Sequence, residues 1–137
     1  MSFGWAYDFN EAKLKEAAPI PADFEPLREK AARFAGLDPN ALEQCLVIEY
    51  APGAAIGWHK DRPVFGEVIG VSLAAPALLR FRKKDGAKWA RASLRLKPRS
   101  VYLLRGQSRW AWEHSIPSVE ALRYSLTFRS FRPNAPT

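Results

Sequence analysis

The chain contains two histidines, and both occur where they could bind one metal ion together with an aspartate. His59 and Asp61 are two residues apart, and His114 follows far downstream. Two imidazole nitrogens and one carboxylate oxygen occupy one side of an octahedral ion and leave the other positions open for a co-substrate and oxygen. Such a donor set suits non-haem Fe(II) oxidation chemistry. The pattern therefore indicates His59, Asp61 and His114 as candidate metal ligands and catalytic residues.

The same three residues also have a purely structural interpretation. His59 could cap a turn, Asp61 could begin a loop before Pro63, and His114 could be a packed core imidazole. A motif of three residues does not by itself distinguish a metal site from these roles. A second feature of the sequence is needed to decide.

Residues 122–129 alternate strictly between apolar and polar side chains, as a β-strand with two different faces does. The polar face carries Arg123, Ser125, Thr127 and Arg129. If that face points inward, its two guanidinium groups need an anionic ligand to offset their desolvation, whereas a solvated face would need none. At ~3.3 Å per residue the two arginines stand roughly 20 Å apart, so separate tasks are expected for them.

Three blocks of the chain, read together, resemble the AlkB family of Fe(II)- and 2-oxoglutarate-dependent dioxygenases. They are residues 45–54 leading into 59–61, residues 106–109 followed by His114, and residues 123–129. Each block alone has low specificity for the family, but the order and spacing of the three blocks make the combination fairly specific. The resemblance covers residues 45–131, which is most of the chain.

The resemblance implies a role for each matched residue. His59, Asp61 and His114 match the iron ligands of the family. Arg123 matches the arginine that forms a salt bridge with the distal carboxylate of 2-oxoglutarate, and Tyr50 matches the tyrosine that assists it.

Three further positions are matched with differences. Arg129 matches a second arginine, nearer the metal and the substrate, and is expected among both the catalytic and the cofactor-binding residues. Ser125, also expected to contact the co-substrate, replaces the asparagine of the usual motif, and Ile48 stands where many members have asparagine. Because both asparagines help to hold the co-substrate, these changes affect its expected affinity rather than the reaction class.

The reaction that the resemblance implies is the oxidative dealkylation of N-alkylated nucleobases in DNA or RNA, single-stranded or with the base flipped out. Fe(II), 2-oxoglutarate and O₂ would take part, and succinate, CO₂ and an aldehyde would be released. Two alternatives stay open. One is a hydroxylase with the same co-substrates that acts on a protein or a small molecule, and the other is a non-catalytic basic jelly-roll module that binds nucleic acid.

The charge of the chain favours a polyanionic partner. The formal net charge is +7 and the sequence pI is about 9.9. Residues 80–109 contain eleven lysines and arginines but a single acidic residue, Asp85. A phosphate backbone is the obvious partner for such a stretch, although a solvated surface explains the charge equally well.

Composition also bounds the location and organisation of the protein. No run of about 18 apolar residues is present, and the N-terminus lacks the features of a secretion signal. The lone Cys45 excludes an internal disulfide and fits a reducing compartment. We therefore expect a cytoplasmic protein without membrane contact, and a monomer. Residues 1–137 are predicted to form one domain, with a shortened lid remnant and helices in 1–44 and a core in 45–132.

Hydrophobic periodicity predicts a mainly β fold. An amphipathic helix is expected after Asp23 as its N-cap and before Gly36, and a short helical turn after Asp38. The remaining chain is predicted to form short strands at regular intervals. This pattern predicts a double-stranded β-helix (jelly roll) with one or two N-terminal helices packed on one sheet. The predicted strands after the first core strand cover 68–73, 77–82, 90–97, 101–104, 110–116 and 122–131. In 90–97 apolar residues alternate with mainly basic ones, which predicts a strand with one buried face and a basic outer face.

The N-terminal segment combines four aromatic residues at alternating positions, namely Phe3, Trp5, Tyr7 and Phe9. An apolar edge strand would explain them. In proteins of the AlkB family a similar segment opens the region that covers the substrate. The resemblance thus implies Trp5 and Tyr7 as substrate-binding residues that could stack on a base.

Overall fold

Within residues 1–133, which a computed structural model describes, the chain forms strands, two α-helices and two short 3₁₀ turns. The strands are β1 Ser2–Phe3, β2 Trp5–Asp8, β3 Lys13–Glu16, β4 Gln44–Tyr50, β5 Ile56–His59, β6 Phe65–Leu73, β7 Ala77–Asp85, β8 Lys88–Leu96, β9 Ser100–Leu104, β10 Glu113–Ile116 and β11 Arg123–Phe131. The helices are α1 Glu25–Ala35 and α2 Gln107–Trp110, and the 3₁₀ turns are Ala22–Phe24 and Pro39–Ala41.

The strands pair into two main antiparallel sheets. The five-stranded sheet has the order β1-β4-β11-β6-β9, the four-stranded sheet has the order β5-β10-β7-β8, and β2 and β3 form a separate hairpin. Apolar residues of both sheets pack together in a cluster that includes Tyr50, Leu79, Leu96 and Ile116. The predicted jelly-roll fold with an N-terminal helix is therefore confirmed.

Helix α1 covers the outer side of the five-stranded sheet. Its alanines Ala31, Ala32 and Ala35 pack in one cluster with Ile69 of β6 and Phe128 of β11. Small side chains allow the helix to approach the sheet closely. Strand β11 is consequently buried on both faces, with apolar residues toward the helix and its polar row toward the other sheet.

The ends of α1 were predicted with mixed success. Gly36 ends the helix in the left-handed region at φ 70°, as glycine does without steric cost. Asp23 is not the N-cap, because a 3₁₀ turn at residues 22–24 precedes the helix and Phe24 holds the cap position without a side-chain hydrogen bond. The spacing of Leu27, Ala31 and Phe34 at i, i+4 and i+7 predicts that all three lie on the buried face, but Phe34 is 54% exposed. The helical turn predicted after Asp38 is present, and the Asp38 carboxylate caps it by accepting a hydrogen bond from the Asn40 backbone N–H.

Two predicted strands differ in the structure. The segment 110–116 is a strand only from Glu113, because the chain from Gln107 to Trp110 forms the turn of helix α2. Strand β8 was expected to bury one face, yet among its residues only Leu96 is buried, and Leu94 is 47% exposed. As an edge strand of the four-stranded sheet, β8 projects into solvent on both faces. Among the described residues, no helix is both long enough and apolar enough to cross a bilayer.

Candidate metal and co-substrate site

The side chains of His59, Asp61 and His114 converge at the mouth between the two sheets. His59 ends β5, His114 lies opposite it on β10, and Asp61 follows two residues after His59. The Asp61 Oδ1 atom lies 3.5 Å from His59 Nε2 and 3.3 Å from His114 Nε2. Two donors held at right angles, each ~2.1 Å from an ion, stand about 3 Å apart. The three side chains are thus spaced as ligands of one metal ion.

Hydrogen bonding of the His59 ring supports a cation between these atoms. The Nδ1 atom of His59 lies 2.9 Å from the backbone oxygen of Gly57, so a proton on Nδ1 satisfies that contact. In the neutral ring the Nε2 lone pair then faces the Asp61 carboxylate. Two electron-rich atoms at this distance need a proton or a metal ion between them. Two imidazole nitrogens and one carboxylate oxygen are a donor set that fits a divalent metal.

The contact between the His59 and Asp61 side chains also shifts the pKa of both residues. Burial alone would raise the pKa of the Asp61 carboxyl, but hydrogen bonds from His114 and His59 and the charge of Arg129 outweigh it and hold that pKa well below its usual range. The hydrogen bond to Asp61 raises the pKa of His59. Asp61 is therefore a permanent carboxylate, as a metal ligand must be.

Arg129 fixes the other oxygen of the aspartate. Its Nε–H donates to Asp61 Oδ2 at 2.7 Å, and its Nη1 donates to Gln44 Oε1 at 2.9 Å. Because Arg129 and Gln44 are paired across β11 and β4, the five-stranded sheet positions the guanidinium directly. This arrangement leaves Asp61 Oδ1 free to face the two imidazoles. Gln44 was not found from the sequence, where nothing distinguishes it from a surface residue.

Arg123 lies fully buried at the opposite end of the polar row of β11. Its Nε–H donates to the Ser72 hydroxyl at 3.1 Å, whereas its two terminal nitrogens have no hydrogen-bond partner among residues 1–133. The guanidinium lies 4.9 Å above the ring of Tyr50, its partner across the strand pair. A buried cation with two unused donors on one edge matches the geometry of a carboxylate.

One cavity connects the metal ligands with Arg123. Its volume is about 190 Å³, below the ~300–1,000 Å³ of cavities for drug-sized ligands, so it suits a compact molecule. The inward row of β11, from Arg123 to Arg129, forms one wall, with Tyr50 and Ser125 among the lining residues. Burial raises the pKa of the Tyr50 hydroxyl, which keeps it a neutral donor.

The two departures from the family motif are neighbours in space. Ile48 and Ser125 are directly paired across β4 and β11, and both line the cavity. Isoleucine and serine in place of the family's two asparagines therefore change one continuous part of the cavity wall. The sequence did not reveal that these positions face each other.

Tyr102 is a further lining residue that sequence reasoning missed. It lies opposite Gly70 on the neighbouring strand, and a Cβ atom at Gly70 would approach Tyr102 Cζ to 2.1 Å. Glycine is thus required at position 70 for the aromatic ring to reach the cavity. Burial raises the pKa of Tyr102 to about 12, so the hydroxyl is uncharged at neutral pH.

Arg109 holds the loop that carries Asp61. It is 2% exposed, and its guanidinium donates to backbone oxygens of the segment 61–66. The accepting carbonyls are those of Asp61 at 3.4 Å, Arg62 at 2.9 Å, Phe65 at 2.7 Å and Gly66 at 2.7 Å. The second sequence block, 106–109, contains this residue, but its role could not be foreseen because all its partners are backbone atoms.

Replacing Arg109 with methionine is expected to destabilise the protein by about 3–5 kcal/mol, since several buried carbonyls lose their donor at once. Urea denaturation measures this change. Arg33→Met, at an exposed arginine of α1, is the matched control and should lie within about 0.5 kcal/mol of the wild type. Equal stability of the two variants would contradict the structural role of Arg109.

A second, wider cleft lies over the metal ligands. Tyr7 and Phe9 line it together with Arg62, whose guanidinium lies 5.0 Å from the Tyr7 ring centroid and 4.6 Å from that of Phe9. His59, Asp61 and Arg129 form its floor. The hairpin β2–β3 therefore brings aromatic rings to the entrance of the site. Arg62 was missed in the sequence, although it directly follows the His-x-Asp motif.

Not every residue considered from the sequence reaches the site. Trp5 does not line this cleft, and its ring instead packs edge-to-face on Phe131 at 5.8 Å. The sequence offers Glu113 and Glu67 as carboxylates that could orient the histidines by hydrogen bonding, but they form ion pairs with Arg82 and Arg105. The backbone oxygen of Gly57 takes the orienting role for His59.

Comparison with known proteins places this geometry in a family. A sequence profile of the 2OG-Fe(II) oxygenase superfamily matches residues 4–129, which include all the residues of the cavity. The chain belongs to the 2OG-Fe(II) oxygenase superfamily. The three candidate metal ligands and the buried Arg123 fit the two groups after which this superfamily is named, Fe(II) and 2-oxoglutarate.

Curated relatives include AlkB proteins, as the three sequence blocks predicted. The chain is 32% identical to the alpha-ketoglutarate-dependent dioxygenase AlkB of Escherichia coli over 92% of its own length and 63% of the relative. It is 29% identical to an alkylated DNA repair protein, the ALKBH8 homolog of Arabidopsis thaliana, over 93% of its own length and 45% of the relative. It thus spans about half to two thirds of these relatives.

Proposed function

We propose that this protein is a dioxygenase that uses Fe(II), 2-oxoglutarate and O₂ to remove N-alkyl groups from nucleobases of DNA or RNA. One observation carries the proposal. A cavity bounded by three metal-ligating side chains also contains a buried guanidinium whose terminal nitrogens have no partner among residues 1–133. A metal site alone would not need that cation, and a structural arginine would have its donors satisfied.

The metal would be held by His59, Asp61 and His114. Arg129 would keep Asp61 in one orientation through its bond to Oδ2, so that Oδ1 stays available as the ligand. The backbone oxygen of Gly57 would fix the tautomer of His59. When bound, Fe(II) supplies the activation of O₂ that an unaided protein side chain cannot perform.

The distal carboxylate of 2-oxoglutarate would bind at Arg123. Two parallel N–H donors of the guanidinium match the two carboxylate oxygens, and the Tyr50 and Ser125 hydroxyls would add donors in the same cavity. The cavity excludes bulk water around this pair, which strengthens the interaction. The chain's own contribution is thus to orient the co-substrate and to compensate its charge.

The overall reaction balances without any further reductant. One 2-oxoglutarate, one O₂ and one N-methyl group give succinate, CO₂ and an N-hydroxymethyl group, with one oxygen atom entering each oxidised product. Loss of formaldehyde from the N-hydroxymethyl group then restores the N–H of the base. The residues of the site need only hold the reacting groups close together.

The wider cleft would receive the base. Tyr7 and Phe9 offer aromatic faces at the entrance, and base stacking contributes ~1–3 kcal/mol per base. Arg62 and Arg129 add positive charge for a phosphate or a base edge. The net charge of +7 supports a nucleic acid rather than a protein substrate. We further propose that the protein is located in the cytoplasm, a reducing compartment that its single free cysteine, Cys45, fits, and that it is a monomer.

The proposal is tested by measuring succinate and formaldehyde release with a panel of methylated DNA and RNA oligomers. Equal amounts of both products are expected with at least one N-methylated oligomer, and no formaldehyde with the unmethylated oligomer of the same sequence. Succinate that is formed only with a peptide or a small molecule would favour a hydroxylase of another substrate. Tight oligonucleotide binding without any succinate would favour a non-catalytic nucleic-acid-binding module.

A further inference from the structure

The outer face of the four-stranded sheet carries a ladder of alternating cationic and aromatic side chains. The Arg82 guanidinium lies between two indoles, 4.5 Å from the Trp58 ring and 4.4 Å from the Trp89 ring. Arg80 also lies over the Trp58 ring at 5.0 Å, and Lys84 lies over Trp89 at 4.8 Å. Both tryptophan rings are thus in contact with cationic side chains on this face of the sheet. We name these residues, together with Arg91, the basic ladder.

The basic ladder is not explained by the stability of the fold. Arg82 and Arg91 are directly opposite each other on β7 and β8, and like charges in that position repel. Trp89 is 37% exposed, and β8 buries only Leu96. Glu113 is the one acidic partner of the ladder among the described residues, and it pairs with Arg82. An excess of positive charge beside an exposed indole, that of Trp89, indicates an anionic ligand with flat rings.

The basic ladder is continuous with the entrance of the candidate active site. A groove of about 430 Å³ is lined by Arg82, Lys84 and Trp89 and also by Lys60. Lys60 lies between the metal-ligating residues His59 and Asp61 in sequence and also lines the cleft above them. A strand whose base enters that cleft can therefore leave it along Lys60 toward Trp89.

We propose that the basic ladder binds the single strand that flanks the nucleotide in the active site. The lysines and arginines would neutralise its phosphates, and Trp89 would stack on an unpaired base, as in sequence-tolerant recognition of single strands. The inference rests on the proposed function for the substrate class. It adds a second contact surface, formed by a different sheet from the one that holds Arg123.

The test is fluorescence anisotropy with an unmodified single-stranded DNA 12-mer, at several salt concentrations. The double variant Lys84→Glu/Arg91→Glu should bind at least about tenfold more weakly than the wild type, and the slope of log affinity against log salt should fall by about 1.4 for two lost phosphate contacts. Trp89→Ala should weaken binding by about fivefold or more while leaving the slope unchanged.

Lys30→Glu/Arg33→Glu is the matched control, because it makes the same change of charge on two exposed residues of helix α1, on the opposite side of the molecule. It should bind the 12-mer within about threefold of the wild type, since long-range attraction is screened beyond ~10 Å at 0.1 M salt. Circular dichroism of each variant confirms that it is folded, and Arg91→Gln serves as a milder variant if the double variant is not.

Several outcomes would overturn the inference. They are wild-type affinity of the ladder variants, an equal loss in the α1 control, or binding of the wild type to phosphatidylserine vesicles but not to the 12-mer. Failure of the proposed function is visible separately, as absence of succinate release by the wild-type protein. A wild-type protein that releases no succinate but binds the 12-mer through the basic ladder would contradict the proposed enzymatic activity and still support binding of a single strand by the basic ladder.

Discussion

Replacing Arg123 with methionine is expected to weaken 2-oxoglutarate binding by at least about two orders of magnitude and, at the same time, to stabilise the ligand-free protein. Loss of one partner of a buried, hydrogen-bonded charge pair costs about 2–5 kcal/mol of binding free energy. In the ligand-free fold the same guanidinium is fully buried with two terminal nitrogens unpartnered among the described residues. Removing such a group should raise the free energy of unfolding by about 1–3 kcal/mol, although the bond to Ser72 is lost.

The loss of affinity is measured by calorimetric titration of 2-oxoglutarate, and the gain in the free energy of unfolding is measured by urea denaturation without ligand. Arg109→Met is the matched control, because Arg109 is a buried arginine whose guanidinium is saturated by backbone oxygens. The same substitution should therefore shift stability in opposite directions at the two sites. Destabilisation by Arg123→Met with unchanged 2-oxoglutarate affinity would show that Arg123 is a structural residue.

Substitution of His59 or Asp61 by alanine is expected to reduce 2-oxoglutarate turnover by at least about three orders of magnitude. Each variant would lose one of the three proposed metal ligands, and the two that remain would not hold the ion in a fixed geometry. Succinate release and the iron content after anaerobic loading measure the loss. Glu49→Ala is the control, because it removes an exposed carboxylate on β4, next to Tyr50, that contacts Tyr124. Retained succinate production by either ligand variant would contradict the assignment.

The two ligand variants should differ in stability. Asp61→Ala leaves the Arg129 guanidinium without the partner that it contacts at 2.7 Å, and loss of a buried partner costs about 3–5 kcal/mol. The His59 side chain is 40% exposed, so His59→Ala should remain close to the wild type in stability. His59→Ala is therefore the variant that separates loss of metal from loss of fold.

The sequence revealed those parts of the site that follow from strand periodicity. That Arg123 and Arg129 share one face could be predicted, because alternation in 122–129 assigns all four polar side chains to the same side of the strand; whether that side points inward or to solvent was left open. The distance between them correctly indicated different tasks, one toward Ser72 and one toward Asp61. The jelly-roll fold followed from the number and spacing of short strands.

Other parts of the site depend on contacts that leave no periodic signal. The hydrogen bonds of Arg109 end on backbone oxygens, which every residue possesses. The contact of Arg62 with Tyr7 and Phe9 joins segments more than 50 positions apart through a hairpin whose placement is set by packing. The exposure of β8 depends on its edge position, whereas alternation of apolar and basic residues suggested a buried face. Local sequence patterns thus predict the strands, whereas tertiary contacts determine which faces of the strands are buried.

The central claim is tested most directly by a crystal structure of the protein grown without oxygen in the presence of Mn(II) and 2-oxoglutarate. The expected result is one ion in contact with His59, Asp61 and His114, with one carboxylate of 2-oxoglutarate paired with the terminal nitrogens of Arg123. An ion bound elsewhere, or a diacid that leaves Arg123 without a partner, would contradict the account.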